Sequence, residues 1–354
     1  MLYEVDRQCL VEGRHNQPSM SVLFMKFNLK YLSDYRTPLM GIAALMVVLC
    51  HAPKYGVCMP NILSQILRTG GLGVDIFLLL SGIGCYYSLS KNGQIAIGSW
   101  YKRRLIRILV PYALMQIPFW GYWLYVGSFD FFDCLYEFST IKFWTLHKGA
   151  WYVALLLPLY IITPPLYKLL EICNFKRLFV VAVLSLCIIL LCYIDLENLN
   201  RECWIDNLRW AFQRTVSFVI GMGIAPFVKH GKSVNLLWLL GVCILFYFFV
   251  HKIISKNVFM GWCQIPFFLV IFVYILRYLK QIKTIYRFIC WMGVVSLESY
   301  LANIYFCGAI FDFSERVGWN DAGRYMEYLL VIVLGILLSG IVNHFSCRIN
   351  KRIK

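Results

Sequence analysis

The sequence predicts an all-α fold: a polytopic membrane helix bundle of about ten transmembrane helices, with N- and C-termini cytoplasmic. Three observations predict it. Of the 354 residues, 60% are hydrophobic and only 15% charged, whereas a soluble protein carries about a quarter charged residues. The apolar residues fall in runs of about twenty, long enough to cross ~30 Å of hydrocarbon as helix. The runs are continuous rather than alternating, which separates them from barrel strands.

Ten spans follow, near residues 38–55, 71–90, 108–127, 150–169, 178–194, 210–228, 234–251, 259–277, 289–311 and 325–345. Ahead of them, "MLYEVDRQCLVEGRHNQ" has no apolar core of the signal-peptide kind. Thr37 and Pro38 open the first span, a capping hydroxyl before a proline at the first helical position. The second begins "GGLGVDIFLLLSG" and carries Asp75 into the membrane. The third follows a basic stretch, "SWYKRRLIRILVPYALM". Trp151 and Tyr152 open the fourth as an interfacial aromatic pair, and Pro164 and Pro165 should break its end. Gln213 and Arg214 lie in the outer part of the sixth, where snorkelling accounts for them. The ninth, "WMGVVSLESYLANIYFCGAI", holds Glu298 near its middle and Asn303 beyond it. The layout divides the chain into a cytoplasmic segment (1–35), a membrane domain (36–346) and a basic tail (347–354).

Charge sets the orientation. With a cytoplasmic N-terminus, most of the basic residues fall in inside segments, among them Arg7, Arg14, Lys91, Lys102 and Arg348. The acids Asp130, Asp133, Glu137, Asp195, Glu197, Glu202, Asp206, Asp312, Glu315 and Asp321 fall outside. Positive charge resists translocation, so both termini stay inside. The formal net charge of +16 is therefore topological, with no call for nucleic acid as a partner. The fourteen cysteines lie mostly within apolar runs without zinc spacing, so they read as small buried hydrophobes and no metal is expected.

Four residues are expensive in lipid and mark a site. His51 ends the first span in its outer half, and Asp75 enters the second at nearly the same depth. An ionisable side chain inside a span costs ~2.5–3.5 kcal/mol, so it should face a cavity and have a partner. His51 and Asp75 make a candidate pair, in which imidazole removes a proton and the carboxylate holds its tautomer. The other reading places His51 at the interface and Asp75 between helices. Glu298 and Asn303 would line the same cavity. Arg103 and Arg107, four residues apart, share a helix face, and with Arg104 they suit a phosphate-rich ligand; the other reading is that they set topology and bind anionic lipid.

Four blocks in this order resemble acyltransferase family 3, bacterial membrane acyltransferases that modify surface glycans. They are "MGIAALMVVLCHA"; "GGLGVDIFLLLSG" with "SWYKRRLIRILVPY"; "AWYVALLLPLYIITPPL"; and "MGVVSLESYLANIY". The resemblance implies an O-acyltransferase of the bacterial cytoplasmic membrane, taking an acyl group, commonly acetyl, from acetyl-CoA or another acyl-CoA. The acceptor would be a hydroxyl of a surface polysaccharide or its lipid-linked precursor, and no cofactor would be bound permanently. It also implies His51 as the catalytic histidine, whether general base or transient acyl carrier, and Arg103, Arg104 and Arg107 at coenzyme A; Asp75 and Glu298 are the further catalytic candidates, read from their depth in the spans. Ser81, Trp151, Tyr152 and Asn303 are the substrate-lining candidates. Two departures stand out. The family's arginine eleven residues before the histidine is replaced by Met40, leaving Arg36 as the nearest, at the cytoplasmic surface before the helix, where it could meet a phosphate of the coenzyme A donor. Asn303 stands where the family often has a histidine. The rival reading is a transporter or flippase, in which intramembrane Asp75 and Glu298 would be cation or proton sites; the sequence shows no inverted repeat of the kind such proteins carry.

Overall fold

The computed structural model describes residues 26–90, 97–193, 203–254, 261–319 and 323–353. Of the charges used for orientation, Arg7, Arg14, Lys91, Asp195, Glu197, Glu202 and Asp321 lie outside the described residues. In chain order the helices are α1 (Tyr31–Asp34), α2 (Arg36–Cys50), α3 (Asn61–Arg68), α4 (Leu72–Ser90), α5 (Ile97–Tyr125), α6 (Phe131–Phe138), α7 (Ile141–Leu146) and α8 (Trp151–Ile172). Then come α9 (Arg177–Tyr193), α10 (Cys203–Phe212), α11 (Thr215–Lys229), α12 (Leu236–Ile254), α13 (Gly261–Leu279), α14 (Lys283–Val294), α15 (Ser296–Arg316) and α16 (Tyr325–Ile353). A short antiparallel ribbon, β1 (Lys26–Asn28) against β2 (Ser233–Asn235), joins the start of the described chain to the α11–α12 connection.

The fold is all-α and membrane-embedded. Among the described residues, seven helices are long and apolar enough to cross a bilayer, or eight when the bent pair α14–α15 counts as one span. Large apolar side chains such as Ile117, Phe179, Leu245 and Leu337 stay exposed on the bundle's outside, as lipid contact requires. The centre is α4, buried on nearly every face and packed between α2 and α11. Small residues permit this closeness, because without water packing alone holds helices together. A Cβ at Gly221 of α11 would lie 2.1 Å from the Leu79 carbonyl oxygen of α4.

Three local expectations need correction. Pro38 does not open the first helix: α2 begins at Arg36 behind Tyr35, and Pro38 sits inside the first turn, where no N–H partner is needed. Nor do Pro164 and Pro165 end the fourth span, since α8 runs through them to Ile172. The Tyr101 hydroxyl donates to the Ile161 carbonyl at 2.9 Å, satisfying the acceptor that Pro165 cannot serve. The ninth span is not one helix; α14 and α15 meet at 73° around Val295. Glu298 therefore occupies the first turn of a new helix, where backbone N–H groups favour a carboxylate.

Candidate active site

His51 caps the C-terminal end of α2, and its ring turns back along its own helix. Nδ1 lies 2.7 Å from the Val47 carbonyl oxygen. A carbonyl only accepts, so the neutral ring carries its proton on Nδ1 and presents a lone pair at Nε2. The Cys50 sulfur is 3.9 Å from that same Nδ1 and donates to the same carbonyl at 3.1 Å. It therefore faces the protonated nitrogen and gains no activation from it. One turn on, Tyr55 sets its ring 6.2 Å from the imidazole.

Asp75 does not orient this ring. Its carboxylate receives Arg214 Nη1 at 2.5 Å and the Ser217 hydroxyl at 3.1 Å, and it is fully buried. Arg214 does not snorkel. It is only 6% exposed, donates also to the Gly71 carbonyl, and lies over the rings of Trp151 and Trp210 at 5.3 and 5.1 Å. The physical reason is cost: a buried charge takes the nearest opposite charge, and the residue that immediately precedes α11 supplies a cation at the depth of Asp75. The partner in α2 that the sequence suggested is replaced by one 139 positions away. An arginine inside an otherwise apolar span, level with an aspartate in another, was the available signal.

At the other end of α2, Arg36 is drawn into the bundle rather than left at its surface. Its Nε donates to the Leu80 carbonyl at 3.3 Å, and its guanidinium fills the space that a side chain at Gly84 would need. Arg104 and Arg107 are its electrostatic neighbours, with Cys85 and Tyr160. Arg104 also donates to the Gly84 carbonyl at 3.1 Å and stands 5.7 Å from the Trp100 ring. Arg107 is exposed and is an electrostatic neighbour of Glu298 as well. Glu298 accepts from Asn343 at 2.9 Å. Arg103 projects outward, exposed, without a hydrogen bond or ion pair among the described residues. The arginine group is thus Arg36, Arg104 and Arg107, not Arg103 with Arg107.

Between the two ends runs a row of hydroxyls. Tyr152, an electrostatic neighbour of Ser81, Cys85, Tyr160 and Arg36, sets its ring 5.6 Å from that of Tyr300, and its backbone N–H donates to the Tyr300 hydroxyl at 3.1 Å. Tyr300 neighbours Tyr55, which neighbours His51. Asn303 lies 3.5 Å from the Tyr328 hydroxyl, and Tyr328 donates to the Val48 carbonyl. Asn303 therefore braces the end of α2 that holds His51, with its own Oδ1 buried and unbonded. Trp151 borders this row, its ring 6.2 Å from that of Tyr152, and packs also against Arg214 and Trp210. Tyr55, Tyr300, Tyr328 and Arg214 were absent from the sequence-level site. Tyr55 was detectable, four residues past His51 on the same helical face. No group of three or more His, Cys, Asp or Glu side chains fit to hold a metal occurs among the described residues.

A family model described as an acyltransferase domain matches residues 39–344. No curated protein and no solved structure matches the chain.

Proposed function

The chain belongs to acyltransferase family 3, and from that membership we propose a membrane O-acyltransferase. It moves an acyl group, acetyl in the simplest case, from a coenzyme A thioester to a hydroxyl of a surface polysaccharide or its lipid-linked precursor. The observation that carries the reading is the Nδ1 contact of His51 with Val47, which leaves Nε2 as a base at the end of a row of hydroxyls. Arg36, Arg104 and Arg107 suit the phosphates of the donor, since guanidinium groups bind phosphate oxygens bidentately. Those arginines lie at the basic end, which the charge distribution assigns to the cytoplasm, together with both termini, in a ten-span bundle of the bacterial cytoplasmic membrane.

The acyl-pantetheine arm then follows Tyr160, Tyr152 and Tyr300 toward His51. Nε2 removes the proton of the acceptor hydroxyl as its oxygen attacks the thioester carbonyl. A C–O bond forms, the C–S bond breaks, and the departing thiolate takes the proton back from the imidazolium. The neutral Asp75–Arg214 pair disfavours the transporter reading, which needs a carboxylate open to a cation. Transfer from radiolabelled acetyl-CoA to glycan by the purified chain tests the proposal. His51→Ala should lower kcat by about 10²–10⁴-fold, and undiminished transfer would sink the assigned role.

A further inference from the structure

One face of α16 is left over by the packing of the bundle. The pairs Ile336–Leu337, Gly340–Ile341 and His344–Phe345 recur every four residues and so share that face. Together with Trp291 of α14 they line a groove of about 490 Å³, apolar apart from His344. That is within the size range of small-molecule sites, about 300–1,000 Å³. Phe288 stacks on Trp291 at 6.2 Å and holds the indole as one wall. A Cβ at Gly340 would lie 3.3 Å from that indole, so glycine leaves room where a larger side chain would fill it. Leu337, Ile341 and Phe345 are exposed along the groove, which therefore opens sideways to lipid. The steps proposed above do not use it.

Length and charge identify the occupant. From Ile336 to Phe345 the helix rises about 14 Å, and one leaflet of a ~30 Å hydrocarbon core is about 15 Å deep. A single acyl chain matches that depth. Beyond His344 the same face continues, in steps of four residues, to Arg348 and Arg352, both exposed. Arg287, also exposed, precedes Trp291 by one turn of α14. No acidic residue follows Glu327 and none lies between Leu279 and Glu298, so neither helix carries an acid near this rim. Guanidinium groups at the end of an apolar groove suit a phosphate whose ester carries an acyl chain. A second copy of the chain suits it less. Copies insert with one orientation, and a two-fold contact through this face would set Arg348 and Arg352 against their own counterparts.

We propose that the groove between α14 and α16 binds an anionic phospholipid, with one acyl chain along Trp291 and Gly340 and the phosphate on Arg348 and Arg352. The test is lipid retention by the full chain in detergent, with no acyl donor present. It is read by native mass spectrometry during titration with phosphatidylglycerol or with phosphatidylcholine of the same acyl chains. Wild type should retain one phosphatidylglycerol saturably, about tenfold or more tighter than phosphatidylcholine. Arg348→Gln combined with Arg352→Gln should bring the two lipids within about twofold. Ile341→Trp, at an exposed position where a larger ring does not disturb the core, should fill the groove and weaken retention of both lipids about tenfold. Arg103→Gln, which removes an exposed arginine elsewhere, should keep the wild-type preference. Glycerol phosphate, the anion without the chain, should not displace the lipid. Equal retention of both lipids by wild type, or an unchanged preference in the arginine double variant, overturns the site. So does wild-type retention in Ile341→Trp. An equal loss in Arg103→Gln overturns it in favour of general surface charge. Displacement by glycerol phosphate does so in favour of a free anion, and a two-chain species that Ile341→Trp abolishes does so in favour of a second copy.

Discussion

Asp75 of α4 and Arg214, which immediately precedes α11, form a buried ion pair at 2.5 Å, with the Ser217 hydroxyl on the second carboxylate oxygen. The pair ties together the two helices that pack most extensively in the bundle. Removing one partner leaves the other charged and unmatched, at a cost of about 3–5 kcal/mol. Asp75→Leu and Arg214→Met should each lower the thermal unfolding midpoint in detergent, and the double variant should recover much of the loss. A double variant no better than the singles would show that the pair itself is not what holds α4 to α11.

Because the Val47 carbonyl sets the His51 tautomer, the carboxylate is not needed for it. Asp75→Asn, assayed on its folded fraction, should keep the pH profile of transfer seen in wild type. A displaced profile would restore Asp75 as the group that orients the ring.

The arginine cluster predicts an unequal response. Arg36 and Arg104 have backbone carbonyls to fix them and lie with Arg107, whereas Arg103 projects away. A charge-assisted hydrogen bond contributes about 1.5–3 kcal/mol, which corresponds to about 10–100-fold in affinity. Arg36→Ala and Arg107→Ala should raise the acyl-donor KM within that range and leave the acceptor KM alone. Arg103→Ala should change neither by more than about twofold. Equal losses at all three positions would mean that general surface charge draws in the donor.

The contrast between Arg103 and Arg36 shows where the sequence is readable and where it is not. Composition and run length are local, so the all-α membrane bundle and the position of His51 at a helix end were legible. The i, i+4 rule put Arg103 and Arg107 on one face of an isolated helix, but which face meets the rest of the bundle depends on α2 and α4. Depth placed His51 and Asp75 at the same level without revealing that α11 would bring a cation closer. Local rules make Pro164 and Pro165 a helix end, because the sequence does not show a hydroxyl arriving from another helix. The bend at Val295 had no marker: "GVVSLES" contains no proline.

Close helix crossings give a prediction independent of chemistry. A Cβ at Gly41 of α2 would lie 1.9 Å from the Ile289 carbonyl oxygen of α14, and one at Gly293 equally close to the Thr37 carbonyl oxygen. Backbone cannot swing aside as a side chain can. Gly41→Ala should cost about 1–3 kcal/mol or more through overpacking, lowering folded yield and unfolding temperature. Gly121→Ala, with open space around it, should be neutral or slightly stabilising by helix propensity. Indistinguishable unfolding curves would mean that α2 and α14 do not cross this closely.

The continuity of α8 through its prolines yields a coupling that can be measured. Pro165 has no N–H, so the Ile161 carbonyl four residues earlier lacks its helical partner, and the Tyr101 hydroxyl of α5 fills that role at 2.9 Å. Deleting the hydroxyl with Tyr101→Phe exposes the carbonyl to an environment with little water and should cost about 1–3 kcal/mol. In a Pro165→Ala background the helix supplies its own donor, and the same deletion should cost far less. Unfolding free energies of the wild type, both single variants and the double variant form a thermodynamic cycle, whose coupling should be about 1 kcal/mol or more. A coupling near zero would mean that Tyr101 only packs against α8 and that another group serves the Ile161 carbonyl.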